Sequence, residues 1–150
     1  MRGVRALRKG RLSRQDQIYH VTTATYQRHH WFSDLVTGRM VVQALMREED
    51  AGHTRTLAFV VMPDHLHWLL QLSDSRSLSV SVNTVKSYAA RSINRAAGRS
   101  GPIWQKGFHD HALRGEEDLT ATARYIVANP LRAGLTHSVS KYPLWDAIWL

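Results

Sequence analysis

The order of apolar and polar positions along this chain predicts a protein that mixes strands and helices. Residues 17–25 are rich in β-forming side chains and predict a first strand. Residues 59–72 are apolar almost throughout, with β-branched and aromatic residues on both sides of Pro63-Asp64. This arrangement predicts two strands joined by a tight turn. After a loop over residues 101–107, residues 108–113 are a further strand candidate.

Three other segments have apolar side chains at the three- and four-residue intervals that are typical of amphipathic helices. A capping Ser-Asp pair opens the first, over residues 33–52. The second covers residues 78–96 and ends at Gly98. The third begins with the acidic residues 116–118 and ends near Asn129, because a proline follows.

The predicted order is strand, helix, strand, strand, helix, strand, helix. Two β-α-β units with a hairpin between them indicate an α+β, ferredoxin-like sandwich, in which helices cover mainly one face of a central antiparallel sheet. We interpret residues 1–150 as one domain. It would have a basic arm over about residues 1–15 and an aromatic tail, over about residues 136–150, that packs back onto the body.

Two histidines, His65 and His67, stand on the second strand of the predicted hairpin. Their side chains project from the same face because strand side chains alternate. A lone buried histidine is more often a hydrogen-bonded core residue than a ligand. In a same-face pair on an apolar strand, each ring nitrogen needs a partner, and a shared divalent ion would supply one to both rings at once. Spacing alone leaves both interpretations open.

The third helix carries Tyr125 and Asn129, which stand four residues apart and therefore share a face. Taken alone, this pair is more typical of an aromatic packed on the sheet and an amide that caps the end of the helix. A second His-x-His, His109 and His111, is a rival metal pair, a DNA contact or a structural feature. The remaining five histidines have no comparable constellation: His20, His29, His30, His53 and His137.

Composition adds a partner class to this picture. The formal net charge is +8 at pH 7 and the isoelectric point is near 10.4. A basic chain of this kind favours a polyanionic partner, most simply nucleic acid. There are no cysteines, which excludes disulfides and thiolate zinc sites. Without a signal-like or membrane-length apolar segment, we expect a cytoplasmic protein that does not associate with membranes.

The sequence around these residues resembles a known family. His65-Leu66-His67 follows Met62-Pro63, with Tyr125 and Asn129-Pro130 far downstream, and this order resembles the single-tyrosine HUH transposases. Within them, the chain is similar to the REP-associated tyrosine transposases, from residues 19–22 through 104–111 to 125–135. The family usually has Asn before the first His, where this chain has Asp64.

The resemblance implies a metal-dependent single-stranded DNA endonuclease and strand transferase that acts on palindromic repeat hairpins. His65 and His67, with the amide oxygen of Asn129, would hold Mg²⁺ or Mn²⁺, although the ligand types also leave zinc open. Tyr125 would attack phosphorus, which forms a 5′-phosphotyrosine and releases a 3′-hydroxyl. Two alternatives are a non-catalytic hairpin-binding regulator and a nuclease that uses an activated water.

The implied partner is single-stranded or hairpin DNA. We expect the protein to act as a monomer, with a homodimer as the alternative. Its expected location is the cytoplasm, and the nucleoid when it is bound to DNA. Cations would hold phosphates and aromatic rings would stack on unpaired bases. The expected DNA contacts are Arg5, Arg8, Arg11, Arg14, Lys86, Arg91, Arg95, Trp104 and Lys106. The two groups of arginines are also typical of a solvated arm and a solvated helix face.

Overall fold

A computed structural model of the chain describes residues 16–73 and 76–147. The predicted arm, with Arg5, Arg8, Arg11 and Arg14, lies outside the described residues. The described chain forms strands and helices in the predicted order. In chain order these are β1 Ile18–Ala24, α1 Leu35–Asp50, β2 Thr54–Met62, β3 His65–Leu72, α2 Leu78–Ala97, β4 His109–Leu113, α3 Glu116–Val127, α4 Asn129–Arg132 and β5 Trp145–Ala147.

The strands form one sheet in the order β4-β1-β3-β2-β5, with every neighbouring pair antiparallel. The first four strands have the order of a ferredoxin-like sheet, and β5 extends it at one edge. The α+β sandwich that the element order predicts is therefore confirmed. β3 lies at the centre because it is the second strand of the β2–β3 hairpin and also pairs with β1.

The two faces of the sheet have different coverings. Leu66, Trp68 and Leu70 of β3 point to the face where α1 and α2 pack, and all three are buried in the larger hydrophobic cluster. The alternate positions include Leu69, which is buried in a second cluster together with Ile126 of α3. Two long helices thus cover one face, as predicted, and α3 lies on the opposite face.

The helix ends match the sequence signals. The Asp34 carboxylate accepts a hydrogen bond from the Val36 backbone N–H at 2.8 Å and begins α1. The Ser77 hydroxyl caps α2 in the same way, through Val80 at 3.2 Å. Gly98 ends α2 in a left-handed conformation with φ of 64°. Within the described ranges, no helix is both long and apolar enough to cross a membrane.

The described part of the tail, residues 136–147, packs onto the body. β5 pairs with β2, so Ala147 lies opposite Ala58. The Tyr142 hydroxyl donates a hydrogen bond to the Val61 carbonyl at 2.7 Å. Leu144 is buried against α1 at Gly38, where any side chain larger than hydrogen would meet the leucine methyl groups. These contacts attach the tail to the β2 edge of the sheet.

Candidate active site

The centre of the site is the histidine pair on β3. The rings of His65 and His67 stand side by side on the α3 face, with centroids 4.9 Å apart and planes at 79°. His67 is buried, with 7% of its surface exposed, and His65 is partly buried. The central strand therefore presents two imidazoles on a rigid floor, in the arrangement that side-chain alternation predicts.

Helix α3 brings Tyr125 to this pair. Ala123, Ile126 and Val127 of α3 are buried against the sheet, which fixes the rotation of the helix about its axis. Tyr125 is 48% exposed, and its ring centroid lies 5.9 Å from that of His67, edge to face. A phenol and two imidazoles from distant parts of one chain thus meet at one accessible surface.

A further histidine, from β1, lies beside this pair. His20 of β1 places Nε2 3.0 Å from Nδ1 of His67, with ring centroids 5.2 Å apart. The Thr22 hydroxyl lies 3.2 Å from the same Nδ1. The prediction that His20 belongs to no comparable group of site residues is therefore wrong. The sequence held a signal for this contact, because β1 lies beside β3 in a ferredoxin-like sheet. His20 is two residues from Thr22, which lies opposite His67, so both side chains project from the face of His67.

Asp64 positions the other imidazole. Its Oδ1 accepts a hydrogen bond from Nδ1 of His65 at 2.8 Å, and its Oδ2 accepts one from Nε of Arg28 at 2.9 Å. Burial alone would raise the pKa of Asp64, but the hydrogen bonds from His65 and Arg28 outweigh burial and lower that pKa. Gln27 and Arg28 both adopt left-handed backbone conformations, with φ of 54° and 56°. This tight turn brings Arg28 to Asp64.

The electrostatics of the site favour neutral rings for His67 and His20. Burial lowers the pKa of His67 to about 3, and the nearby charges of His65, His20 and Arg132 act in the same direction. Burial, followed by the charge of His111, also lowers the pKa of His20. A neutral imidazole keeps one lone pair, and Nδ1 is already engaged in both His65 and His67. Nε2 is the nitrogen left for a ligand in each ring.

Asn129 lies at the end of α3, next to Tyr125. Its Nδ2 donates a hydrogen bond to the Tyr125 carbonyl at 3.1 Å, so the amide acts as a helix cap. Nothing in the described ranges hydrogen-bonds Asn129 to His65 or His67. Nor do three His, Asp or Glu side chains converge on one metal position in this part of the chain. Among the described residues, the two imidazoles are therefore an open donor set that no third His, Asp or Glu completes as a metal site.

Two expected DNA contacts are instead part of the interior. Lys86 is buried, and its ammonium group donates to the carbonyls of Gln105 at 2.9 Å and Gly107 at 2.7 Å. Trp104 is also buried, and its indole N–H donates to the Lys86 carbonyl at 3.0 Å. These placements correct the expectation for both residues, because their polar atoms are already engaged in holding the loop before β4.

The remaining predicted contacts are dispersed. Arg91 and Arg95 are exposed on α2, which covers the face opposite the histidine pair. Lys106 is exposed in the loop before β4. His109 and His111 are exposed on β4, opposite Thr22 and His20. They lie on the same face as His67 and continue the row of histidines towards the sheet edge.

Comparisons with known proteins agree with this arrangement. Residues 13–129 match the family described as Transposase IS200 like. A provisionally named REP-associated tyrosine transposase of Haemophilus influenzae is 30% identical over 98 residues, which are 59% of this chain and 56% of that protein. The REP-associated tyrosine transposase of Escherichia coli is 33% identical over 88 residues, 57% of this chain and 50% of that protein. The chain spans about half the length of these relatives.

Two solved structures share the fold. The structure of a REP-associated tyrosine transposase bound to a REP hairpin superposes with a TM-score of 0.73 and 23% identity, over 88% of this chain and 77% of the other. A provisionally named transposase from Deinococcus radiodurans gives a TM-score of 0.56 and 22% identity, over 76% and 91% of the two chains. The resemblance to REP-associated tyrosine transposases is thus confirmed. This chain belongs to the IS200-like transposase family.

Proposed function

We propose that this chain cleaves and rejoins single-stranded DNA through a covalent bond to Tyr125. The observation that carries the proposal is the position of the Tyr125 ring, 5.9 Å from that of His67 within the same chain. A nucleophile of the kind that forms a phosphotyrosine lies beside two imidazoles with available Nε2 atoms. Because Tyr125 is half-exposed, a polymer can reach it without opening the core.

The donor set fits a divalent ion. His65 and His67 would hold it through Nε2, with Mg²⁺ or Mn²⁺ as the expected ion. Asn129 is the candidate third ligand, since engagement of its Nδ2 by the Tyr125 carbonyl leaves the amide oxygen as the available atom. When bound, the ion would polarise the scissile phosphate.

The residues of the chain supply the remaining chemistry. The Tyr125 oxygen attacks phosphorus, so that an Oη–P bond forms and the bond from phosphorus to the 3′-oxygen breaks. The phenolic proton passes to solvent, and the departing oxygen takes up a proton to become a 3′-hydroxyl. The phosphodiester is conserved as a phosphotyrosine, so attack by a 3′-hydroxyl reverses the step without an energy source. Packing of α3 on the sheet holds the phenol for this attack.

The substrate class is single-stranded DNA that folds into palindromic hairpins. Support comes from the net charge of +8 and from the similar transposase that is bound to a REP hairpin. The site draws Tyr125 and both histidines from one chain, which supports action by a monomer. We propose that the protein acts in the cytoplasm, at the nucleoid when bound to DNA.

A covalent-adduct assay tests this function. The protein is incubated with end-labelled hairpin DNA from its own genome in the presence of Mg²⁺, Mn²⁺ or a chelator, and the products are separated on denaturing gels. Wild-type protein should give a metal-dependent adduct that Tyr125→Phe and His67→Ala lose. Tyr26→Phe is the matched control, because Tyr26 is 45% exposed and Tyr125 is 48% exposed.

Other outcomes point to the alternatives. Cleavage without an adduct would indicate a nuclease that uses an activated water. Tight hairpin binding that is unchanged by divalent ions and by the Tyr125→Phe substitution would indicate a non-catalytic regulator. Either result across a broad substrate set would overturn the covalent mechanism.

A further inference from the structure

A second side chain is positioned on Tyr125 besides the histidines. The guanidinium carbon of Arg132 lies 4.2 Å from the centroid of the Tyr125 ring. Nη2 of Arg132 donates a hydrogen bond to the Tyr125 carbonyl at 3.2 Å. The chain turns between α3 and α4, with Pro130 in the first turn of α4, and this turn brings Arg132 back over the tyrosine. Backbone and ring of the nucleophile are therefore both held by one arginine.

Arg132 lies over the same Tyr125 ring whose centroid is 5.9 Å from that of His67. Asp64, the carboxylate of the site, is already engaged by Arg28 and His65. In the described ranges Arg132 has no acidic partner, and only its Nη2 is engaged in a hydrogen bond. The other N–H groups of an exposed guanidinium thus remain available beside the nucleophile.

We propose that Arg132 binds the phosphodiester that Tyr125 attacks, through its remaining N–H groups and the non-bridging phosphate oxygens. This inference rests on the proposed function. Arginine suits the task because its planar fork matches phosphate geometry while its face lies on an aromatic ring. Fixed by the Tyr125 carbonyl, the group binds the phosphate next to the ring and offsets the negative charge of the pentacoordinate transition state.

Binding measurements separate this role from simple capping of α3. Tyr125→Phe keeps an aromatic ring under Arg132 and prevents cleavage, and a chelator removes any contribution from metal. In this background we expect Arg132→Gln to reduce the slope of log Kobs against log salt by about 0.7, the value for one phosphate contact on a single strand. Affinity should fall by about tenfold.

The matched control is Arg124→Gln, also in the Tyr125→Phe background. Arg124 is an exposed arginine on α3, the helix that carries Tyr125, but it lies in a groove with Glu116 and Glu117. We expect the salt slope to be unchanged. An unchanged slope for Arg132→Gln as well would overturn the assignment of Arg132 to phosphate.

A neutral phosphate provides a second test. A methylphosphonate at the position that wild-type protein cleaves removes the charge that Arg132 would bind. It should weaken binding by the Tyr125→Phe protein by about tenfold, and Arg132→Gln should then cause little further loss. Losses that multiply independently would show that Arg132 acts elsewhere, and would overturn the proposal.

The adduct assay distinguishes this inference from the proposed function. If wild-type protein forms the adduct, Arg132→Gln should slow it by about 100-fold and Arg132→Lys should restore part of the rate. Urea unfolding of each variant verifies that the fold is intact. Wild-type rates in folded Arg132→Gln would refute the role of Arg132 and leave the function standing. No adduct with wild-type protein would refute the function, while the salt slope would still decide whether Arg132 binds phosphate.

Discussion

Nε2 of His20 lies 3.0 Å from Nδ1 of His67, across the pairing of β1 with β3. One of these two nitrogens must carry the hydrogen. For His67 to offer a lone pair at Nε2, its Nδ1 must be protonated and donate to His20, or to the Thr22 hydroxyl 3.2 Å away. Where His20 is the acceptor, its Nε2 carries no hydrogen and its ring is neutral. The pair thus links the tautomer of a candidate metal ligand to a residue 47 positions away in the sequence.

Removing this acceptor should weaken metal binding. We expect His20→Ala to lower Mn²⁺ affinity by about 10- to 100-fold, the usual effect of losing the group that orients a ligating imidazole. His20→Gln should restore part of the affinity, because a side-chain carbonyl can accept the same hydrogen bond. Calorimetric titration of metal-free protein measures both. His137→Ala, an exposed histidine outside the site, is the control. Equal affinities for wild-type and His20→Ala would contradict the orienting role.

Asp64 should tolerate replacement by the residue that the family usually has. Asp64→Asn keeps an oxygen that accepts from Nδ1 of His65, so Mn²⁺ affinity should fall by less than about tenfold. Asp64→Ala leaves that N–H without its acceptor and should cause the larger loss. Arg28→Gln should have the smallest effect, because the Arg28 side chain is 57% exposed and its ion pair is screened by solvent. Equal losses for Asp64→Asn and Asp64→Ala would show that charge, rather than orientation, is what Asp64 contributes.

Acid should destabilise the metal-free protein through its buried histidines. The pKa of His67 is about 3 in the folded chain and near its ordinary value of about 6.5 when unfolded. Between these values the unfolded chain binds a proton that the folded chain does not. The free energy of unfolding should therefore fall as the pH falls below about 6.5, by up to about 1.4 kcal/mol per pH unit from His67. Above about pH 6.5 this contribution is constant.

Urea unfolding in chelator at pH 7.5 and pH 5 measures this slope. His67→Gln should flatten it, with the remainder due in part to His20, whose pKa is also lowered. His137→Gln should leave the slope unchanged. A His67→Gln protein with the wild-type pH dependence would show that another group controls acid stability.

Lys86 should matter for stability rather than for DNA binding. Lys86→Met removes the donor to the carbonyls of Gln105 and Gly107, and leaves two acceptors without their partner. We expect a loss of about 1–3 kcal/mol in the free energy of unfolding. Affinity for hairpin DNA should be unchanged when the protein is fully folded. Arg91→Gln, which changes an exposed cation on the same helix, should alter stability by less than about 0.5 kcal/mol. A loss of DNA affinity without loss of stability would reverse the assignment.

The sequence determined those features of this protein that depend on local periodicity. Alternation along β3 placed His65 and His67 on one face, the Ser33-Asp34 pair marked where α1 begins, and Gly98 marked where α2 ends. The order of strands and helices was enough to predict the ferredoxin-like sheet, because few topologies connect these elements without crossing. In each case the controlling interaction joins residues close in the chain, or joins whole elements by a topological rule.

Only the tertiary structure decided which side chains meet. His20 reaches His67 because β1 and β3 pair in one particular register, and a shift by one residue would turn His20 to the other face. The Lys86 side chain lies inward because the loop before β4 supplies two carbonyls that accept hydrogen bonds from its ammonium group. Arg132 covers Tyr125 because the chain turns between α3 and α4. Strand register, the rotation of packed helices and turn geometry are set by contacts between segments that are distant in the sequence. The periodicity within one segment does not predict those contacts.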